Sequence, residues 1–133
     1  MTTAIEKVLI YGYGVMGQAV SGTFNEAGFD VQVVSSRADE LAGSAGSIAF
    51  HVEPPVNAPD LVIEFVPENY EDKQAAYQLL EAAYGGAPLI ASGTSGLDLV
   101  KLADGLAHPE RFLGVHYFMP AESTAVVEVM AGP

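Results

Sequence analysis

Residues 6–20 read EKVLIYGYGVMGQAV: a charged pair, an apolar run, then glycines at 12, 14 and 17 followed by small and apolar residues. The spacing Gly12-x-Gly14-x-x-Gly17 is a weak signal alone, because glycines are common at turns, and its setting decides its meaning. KVLIY, residues 7–11, has the length and unbroken apolar character of a strand buried on both faces, and residues 15–28 carry a helical pattern. A glycine triplet that closes a strand and opens a helix can hold a dinucleotide. Gly12 permits the tight turn, Gly14 leaves the backbone open to a pyrophosphate, and Gly17 lets the helix pack closely on the sheet while the helix N-terminus attracts the anion. A glycine turn that binds nothing would show the same spacing. Val15 and Met16 lie inside the turn and are counted with its cofactor lining, the Met16 side chain serving mainly packing.

Outward from this turn, strand-length apolar runs alternate with helix-like stretches. DVQVV (30–34) precedes a short helical stretch near 37–44, and SIAFHV (47–52) runs into VEPPVNAP (52–59), where tandem prolines and Pro59 mark a connection. DLVIEFV (60–66) precedes a helix over 70–84, APLIAS (87–92) precedes one over 97–106, and RFLGVHYF (111–118) and TAVVEVM (124–130) close the chain. Continuous apolar strands separated by helices imply a parallel sheet covered on both faces. The expectation is an α/β domain over 1–133, a doubly wound Rossmann-type parallel sheet with helices on both faces and an antiparallel last strand, with no room for a second domain.

The chain has 133 residues, 50% of them hydrophobic and 17% charged, which is enough to bury roughly two thirds of the unfolded surface. No apolar run approaches the ~18 residues of a membrane helix. Glu6 and Lys7 stand before a short apolar run with none of the layout of a signal peptide, so a cytoplasmic location is expected. Zero cysteines exclude disulfides, thiolate metal sites and cysteine nucleophiles, and no metal site is expected. Five Lys and Arg stand against seventeen Asp and Glu, a net charge of -12, which argues against nucleic acid and anionic membranes as partners. The cations are Lys7, Arg37, Lys73, Lys101 and Arg111, with Lys101 and Arg111 expected on the solvated surface.

An NAD-binding fold usually ends its second strand with an acid for the ribose 2′-OH. Here that strand ends at Ser35, followed by Ser36 and Arg37. Two hydroxyls and a guanidinium suit a 2′-phosphate, so NADP(H) is the expected cofactor and NAD(H) the alternative. Arg37 could also do no more than cap a surface helix.

From residue 60 onward, DLVIEFVPENYEDK, LIASGTSGL, PERFLGVHYFMP and VVEVMAGP, taken with GYGVMG, resemble the N-terminal domain of the 3-hydroxyacyl-CoA dehydrogenases in order and spacing, apart from a shortened middle. The resemblance implies that Glu68 and Lys73 lie beside the nicotinamide ribose and that Ser95 reaches cofactor and substrate. It also implies that His116 is the catalytic base with Glu128 behind it. Val66, ending DLVIEFV, is counted with the cofactor lining. The family pattern has Asn at the place of Met119 and Asn-Thr-Ser-Ser at the place of Gly93-Thr94-Ser95-Gly96. It also has a CoA-contacting helical hairpin between Arg37 and Asp60, where this chain is too short for one, and a helical second domain beyond the point where this chain stops.

Taken without the family, His116 and Glu128 fall on two strands joined by MPAEST, and an antiparallel pairing centred near residue 122 puts them directly opposite each other. A carboxylate on one ring nitrogen fixes the tautomer and raises the basicity of the other, as proton removal from an alcohol requires. A strand-end histidine held by a carboxylate for purely structural reasons would look the same. His51 and His108 have no such pairing and receive no function, and AAYQLLEAAY reads as packing. The expected activity is an NADP(H)-dependent oxidoreductase interconverting a hydroxyl and a carbonyl on a small 3-hydroxyacyl-like substrate. The alternatives are a nucleotide-binding module without turnover and the cofactor domain of a longer dehydrogenase. A homo-oligomer, or a partner chain supplying the missing domain, is expected to cover the open side.

Overall fold

The computed structural model describes residues 4–117 and 127–131. Its elements are β1 (Lys7–Tyr11), α1 (Val15–Glu26), β2 (Asp30–Val34), α2 (Ala38–Leu41), β3 (Ala49–His51), β4 (Leu61–Glu64), α3 (Tyr70–Tyr84), β5 (Leu89–Ser92), α4 (Leu99–Leu102), a 3-10 turn at Pro109–Arg111, β6 (Phe112–Tyr117) and β7 (Val127–Ala131). The strands form one sheet in the order β3-β2-β1-β4-β5-β6-β7. Neighbours from β3 through β6 are parallel, and β7 returns antiparallel to β6. This is the doubly wound order, with its switch point between β1 and β4.

Alternation along the strands explains why the apolar runs are unbroken. Val8 and Ile10 join Val20 of α1, Val31, Val33 and Ile63 in a core on one face. Leu9 and Val62 join Tyr77, Leu80 and Tyr84 of α3 and Leu102 of α4 in a core on the other. Each central strand therefore needs apolar side chains on both faces.

Helix α3 has the bounds read from the sequence: the Asn69 side chain accepts from the Asp72 amide at 2.8 Å, and Gly85 ends the helix at φ +61. Most elements are shorter than expected, and three of them have a plain cause. Helix α1 stops at Glu26, because Gly28 turns the chain at φ +94. The 97–106 helix reduces to the single turn Leu99–Leu102, capped by Asp98, with the chain turning away at Gly105, φ +89. Strand β3 covers three residues because it is an edge strand paired only with Gln32, Val33 and Val34. The proline-rich stretch carries no regular element and is anchored where the Tyr84 hydroxyl donates to the Pro55 carbonyl at 2.6 Å. Between Arg37 and Asp60 stand only the one-turn α2 and β3, so the helical hairpin that the family places there is absent. No helix among the described residues is long and apolar enough to cross a membrane.

Candidate functional site

The turn after β1 is built around three glycines with different constraints. Gly12 has φ +108, donates its N–H to the Val34 carbonyl at 2.9 Å, and would put a Cβ 2.9 Å from the Phe65 carbonyl oxygen. A Cβ on Gly17 would run into the carbonyl oxygen of Gly12. A Cβ on Gly14 would meet nothing within 4 Å. Gly14 is also the N-cap of α1, with no side-chain cap and no acid in the first turn. The first amides of α1 thus open onto free space with no competing negative charge, which is what a phosphate needs.

Above this turn lies a hollow of about 580 Å³. Gly12, Gly14, Ser35, Ser36 and Val66 line it together with Tyr11, Tyr13, Val34, Val52, Phe65 and Pro67. Five of the residues named from sequence thus meet at the carboxyl edge of the sheet. Met16 packs against the core beneath α1, while Val15 is 74% exposed on the outer side of the helix, so its side chain does not reach this hollow. The Ser35 amide donates to the His51 carbonyl at 2.9 Å, and its hydroxyl accepts the Arg37 amide at 3.1 Å. Arg37 stands outside the lining, its Nε 3.2 Å from Glu40 Oε2 in an exposed pair. It starts α2 without a side-chain cap bond.

A second group lies across the switch point, on β4, α3 and the loop after β5. Glu64, fully buried at the end of β4, accepts four donors: Lys73 Nζ at 2.5 Å and the Val66 amide at 2.9 Å on Oε1, the Tyr77 hydroxyl at 2.6 Å and the Ser92 hydroxyl at 2.8 Å on Oε2. Lys73, 1% exposed, also donates to the Val66 carbonyl at 3.1 Å and stands 3.5 Å from Glu68 Oε1. Glu68 in turn accepts the Thr94 hydroxyl at 2.8 Å, the Ser95 amide and hydroxyl at 2.9 and 3.0 Å, and the Gly96 amide at 3.2 Å. Partial burial works to raise the Glu68 pKa, but the bonds from Ser95 and Thr94 and the charge of Lys73 outweigh it and hold the carboxyl below its ordinary range. Burial, and then the negative charge of Glu64, push the Tyr77 phenol above its usual value.

The sequence reading singled out Glu68, Lys73 and Ser95, and the structure brings them together. It passed over Glu64, Tyr77, Ser92 and Thr94. Glu64 carried a usable signal, an acid inside an otherwise apolar central strand, followed nine residues later by one of only five cations. Such a charge is tolerated in a core only when paired and hydrogen-bonded.

On the last two strands the register pairs His116 directly with Glu128, as an antiparallel pairing centred near residue 122 requires. His116 alternates with Val115, which belongs to the core on the α1 side, so its position falls on the opposite face, that of Glu64 and Ser92. Met119 lies outside the described residues. The other histidines stand elsewhere: His51 Nε2 is 2.7 Å from Gln32 Oε1, and His108 Nδ1 is 3.5 Å from Glu110. One surface expectation needs correction. Arg111 is only partly exposed and donates to the Ala87 carbonyl at 2.8 Å with its Nε buried, whereas Lys101 is exposed as expected, 4.3 Å from the centre of the Tyr70 ring. Both side chains pack against their neighbours as well as carrying charge.

The family described as 3-hydroxyacyl-CoA dehydrogenase, NAD binding domain, matches residues 45–133. The chain is 30% identical to 5-formyl-3-hydroxy-2-methylpyridine 4-carboxylate 5-dehydrogenase of Mesorhizobium japonicum, covering 96% of this chain and 49% of that protein. It is likewise 30% identical to 3-hydroxybutyryl-CoA dehydrogenase of Bradyrhizobium diazoefficiens, covering 99% and 54%. Those alignments run over 152 and 158 positions against a chain of 133 residues, so the relatives carry residues that this chain lacks. Among solved structures, the 5-formyl-3-hydroxy-2-methylpyridine 4-carboxylic acid 5-dehydrogenase described as an NAD+ dependent dismutase superposes with a TM-score of 0.84 at 29% identity, over 97% of this chain and 50% of that one. The chain spans about half the length of the relatives it matches. Because this family model matches residues 45–133, well over half of the chain, the chain belongs to the family of 3-hydroxyacyl-CoA dehydrogenase NAD-binding domains.

Proposed function

We propose that this chain is the cofactor-binding part of an NAD(P)-dependent dehydrogenase that interconverts a hydroxyl and a carbonyl on a small 3-hydroxyacyl-like substrate. The observation that carries this reading is the open edge of the sheet. Gly12 and Gly14, the latter starting α1 without a side-chain cap, line one hollow with Ser35 and Ser36 on one side, and the Glu68–Ser95 group lies across β1 and β4 on the other. A dinucleotide laid across the switch point puts its pyrophosphate on the glycine turn, its adenosine toward β2 and its nicotinamide toward β4 and β5. Gly12, Gly14, Val15, Met16 and Gly17 surround the pyrophosphate, with Val15 contributing backbone, and Val66 and Glu68 meet the nicotinamide ribose with Lys73 behind Glu68. When bound, the nicotinamide carries the hydride. His116 takes or returns the hydroxyl proton, Glu128 orients its imidazole, and Ser95 hydrogen-bonds the reacting oxygen.

NADP(H) is the favoured cofactor. Ser35 and Ser36 offer two hydroxyls at the end of β2 where an NAD enzyme has an acid. The Arg37–Glu40 pair is exposed and weak enough for a 2′-phosphate to displace Glu40. A small or carrier-tethered β-hydroxy or β-keto substrate fits a chain without the hairpin between Arg37 and Asp60. Exposed Val15, Val56, Leu79 and Val129 favour a covering surface, supplied by a second copy or by a partner chain in the cytoplasm. Measurement of native mass, followed by NADPH oxidation against a panel of 3-keto compounds, tests the whole reading. Turnover by an assembly supports it, whereas cofactor binding without turnover in any assembly leaves a nucleotide-binding module.

A further inference from the structure

We propose that Glu64 is a positioning residue, which through Lys73 and Glu68 holds the Ser95 loop at the nicotinamide end of the site. This rests on the orientation of the dinucleotide argued above. The Lys73 ammonium has three N–H donors, and three acceptors surround it: Glu64 Oε1, the Val66 carbonyl and Glu68 Oε1. With its side chain only 2% exposed, the ammonium is enclosed by these groups, so Lys73 acts on the cofactor through Glu68. Glu68 has the opposite arrangement, with one oxygen turned to Lys73 and Thr94 and the other taking three donors from Ser95 and Gly96. Its side chain is 43% exposed, which makes it the member of the network that faces solvent. The chain of contacts therefore runs from a buried carboxylate at the end of β4, through a buried ammonium on α3, to a rim carboxylate that organises residues 94–96.

The charges explain why Glu64 is required. A buried Lys73 facing Glu68 alone would share its charge with a half-solvated partner, free to change rotamer. Glu64 is itself fixed by Tyr77, Ser92 and the Val66 amide, and so gives the ammonium one position. Ser92 also accepts the Thr94 amide at 3.2 Å, tying the start of the same loop to Glu64 by a second route.

The test compares the affinity of the full chain for NAD(P)H with its affinity for the matching adenine nucleotide, ADP or its 2′-phosphate, which lacks both the nicotinamide and the ribose beside it. The variant is Glu64→Gln combined with Lys73→Met, which removes both buried charges at once. Dinucleotide binding about tenfold weaker, with binding of the adenine nucleotide unchanged within twofold, is the expected result. Equal weakening of both ligands, or of neither, overturns the inference, because a merely structural role does not distinguish the two ends of the cofactor. If the double variant does not fold, Glu64→Asp keeps the charge but withdraws it by one methylene, and the same selective loss, severalfold, is expected, with equal effects again overturning the inference. Wild-type protein that binds dinucleotide no more tightly than the adenine nucleotide also overturns it. Failure of the wild type to bind any dinucleotide overturns instead the function proposed above.

Discussion

Gly17 stands so close to Gly12 that a Cβ on the first would run into the carbonyl oxygen of the second. The strand, the turn and the helix therefore touch through backbone alone. Replacing Gly17 with Ala forces α1 away from the sheet, and an overpacked contact of this kind costs about 1–3 kcal/mol. A clear fall in the thermal midpoint is expected.

Gly14 gives the opposite outcome. Its Cβ would enter free space and its φ is -80, so Gly14→Ala is expected to fold with nearly the wild-type midpoint. In the proposed binding mode the added methyl stands where the pyrophosphate approaches, so dinucleotide affinity should fall by tenfold or more. Titration calorimetry beside a melting curve separates the two glycines: stability falls with one, affinity with the other.

Arg37 tests the choice of cofactor. Because its bond to Glu40 is exposed, Arg37→Asp should leave the melting midpoint almost unchanged. Under the proposed NADP(H) preference it removes a charge-assisted bond to the 2′-phosphate, a contact typically contributing about 1.5–3 kcal/mol. NADPH affinity should fall by tenfold or more and NADH affinity by much less. Equal wild-type affinities for the two cofactors contradict the NADP(H) assignment.

Acid should loosen the Ser95 loop. The folded-state pKa of Glu68 is lowered, its bonds to Ser95 and Thr94 outweighing burial, so its contribution to stability is fully present above the ordinary glutamate range. That contribution is lost as the pH falls through the lowered value. Asp60, held down by the Lys7 and Glu6 amides at 2.9 Å, loses its contribution in the same direction. Denaturant midpoints should decline from pH 5 toward pH 3, and Glu68→Gln should flatten part of that slope. A slope unchanged in the variant contradicts the assignment.

The sheet was legible because its strands carry their signal locally. Val8, Leu9 and Ile10 serve two cores on opposite faces, which writes an unbroken apolar run into the sequence. Likewise, Asn69 and Gly85 mark the ends of α3. Helix α4 was overestimated because the Leu97 amide bonds to the Thr94 hydroxyl and the chain turns at Gly105, contacts that periodicity does not encode. At the site, the glycine turn follows from its spacing together with its place between a strand and a helix, and the register of His116 with Glu128 from the spacing of two paired strands. The buried network does not: Tyr77 and Ser92 are 13 and 28 residues from Glu64, and their common partner exists only once β4, α3 and β5 have packed. Packing of that kind appears in a sequence as isolated polar residues in apolar runs.

The last prediction concerns the chemistry. His116 and Glu128 occupy opposed positions on β6 and β7, at the end of the sheet where the glycine turn and Ser95 also lie. If His116 moves the hydroxyl proton, His116→Ala loses the proton-transfer contribution, about 10²- to 10⁴-fold in turnover, while cofactor affinity barely changes. Glu128→Gln keeps the shape but gives up the charge that stabilises the imidazolium, so its loss is smaller. The two losses should not add in the double variant, because a base and its orienting partner act as one unit. Steady-state rates of alcohol oxidation, with cofactor dissociation constants for each variant, decide the matter. Wild-type turnover in His116→Ala assigns the base to another residue, and fully additive losses separate Glu128 from the histidine.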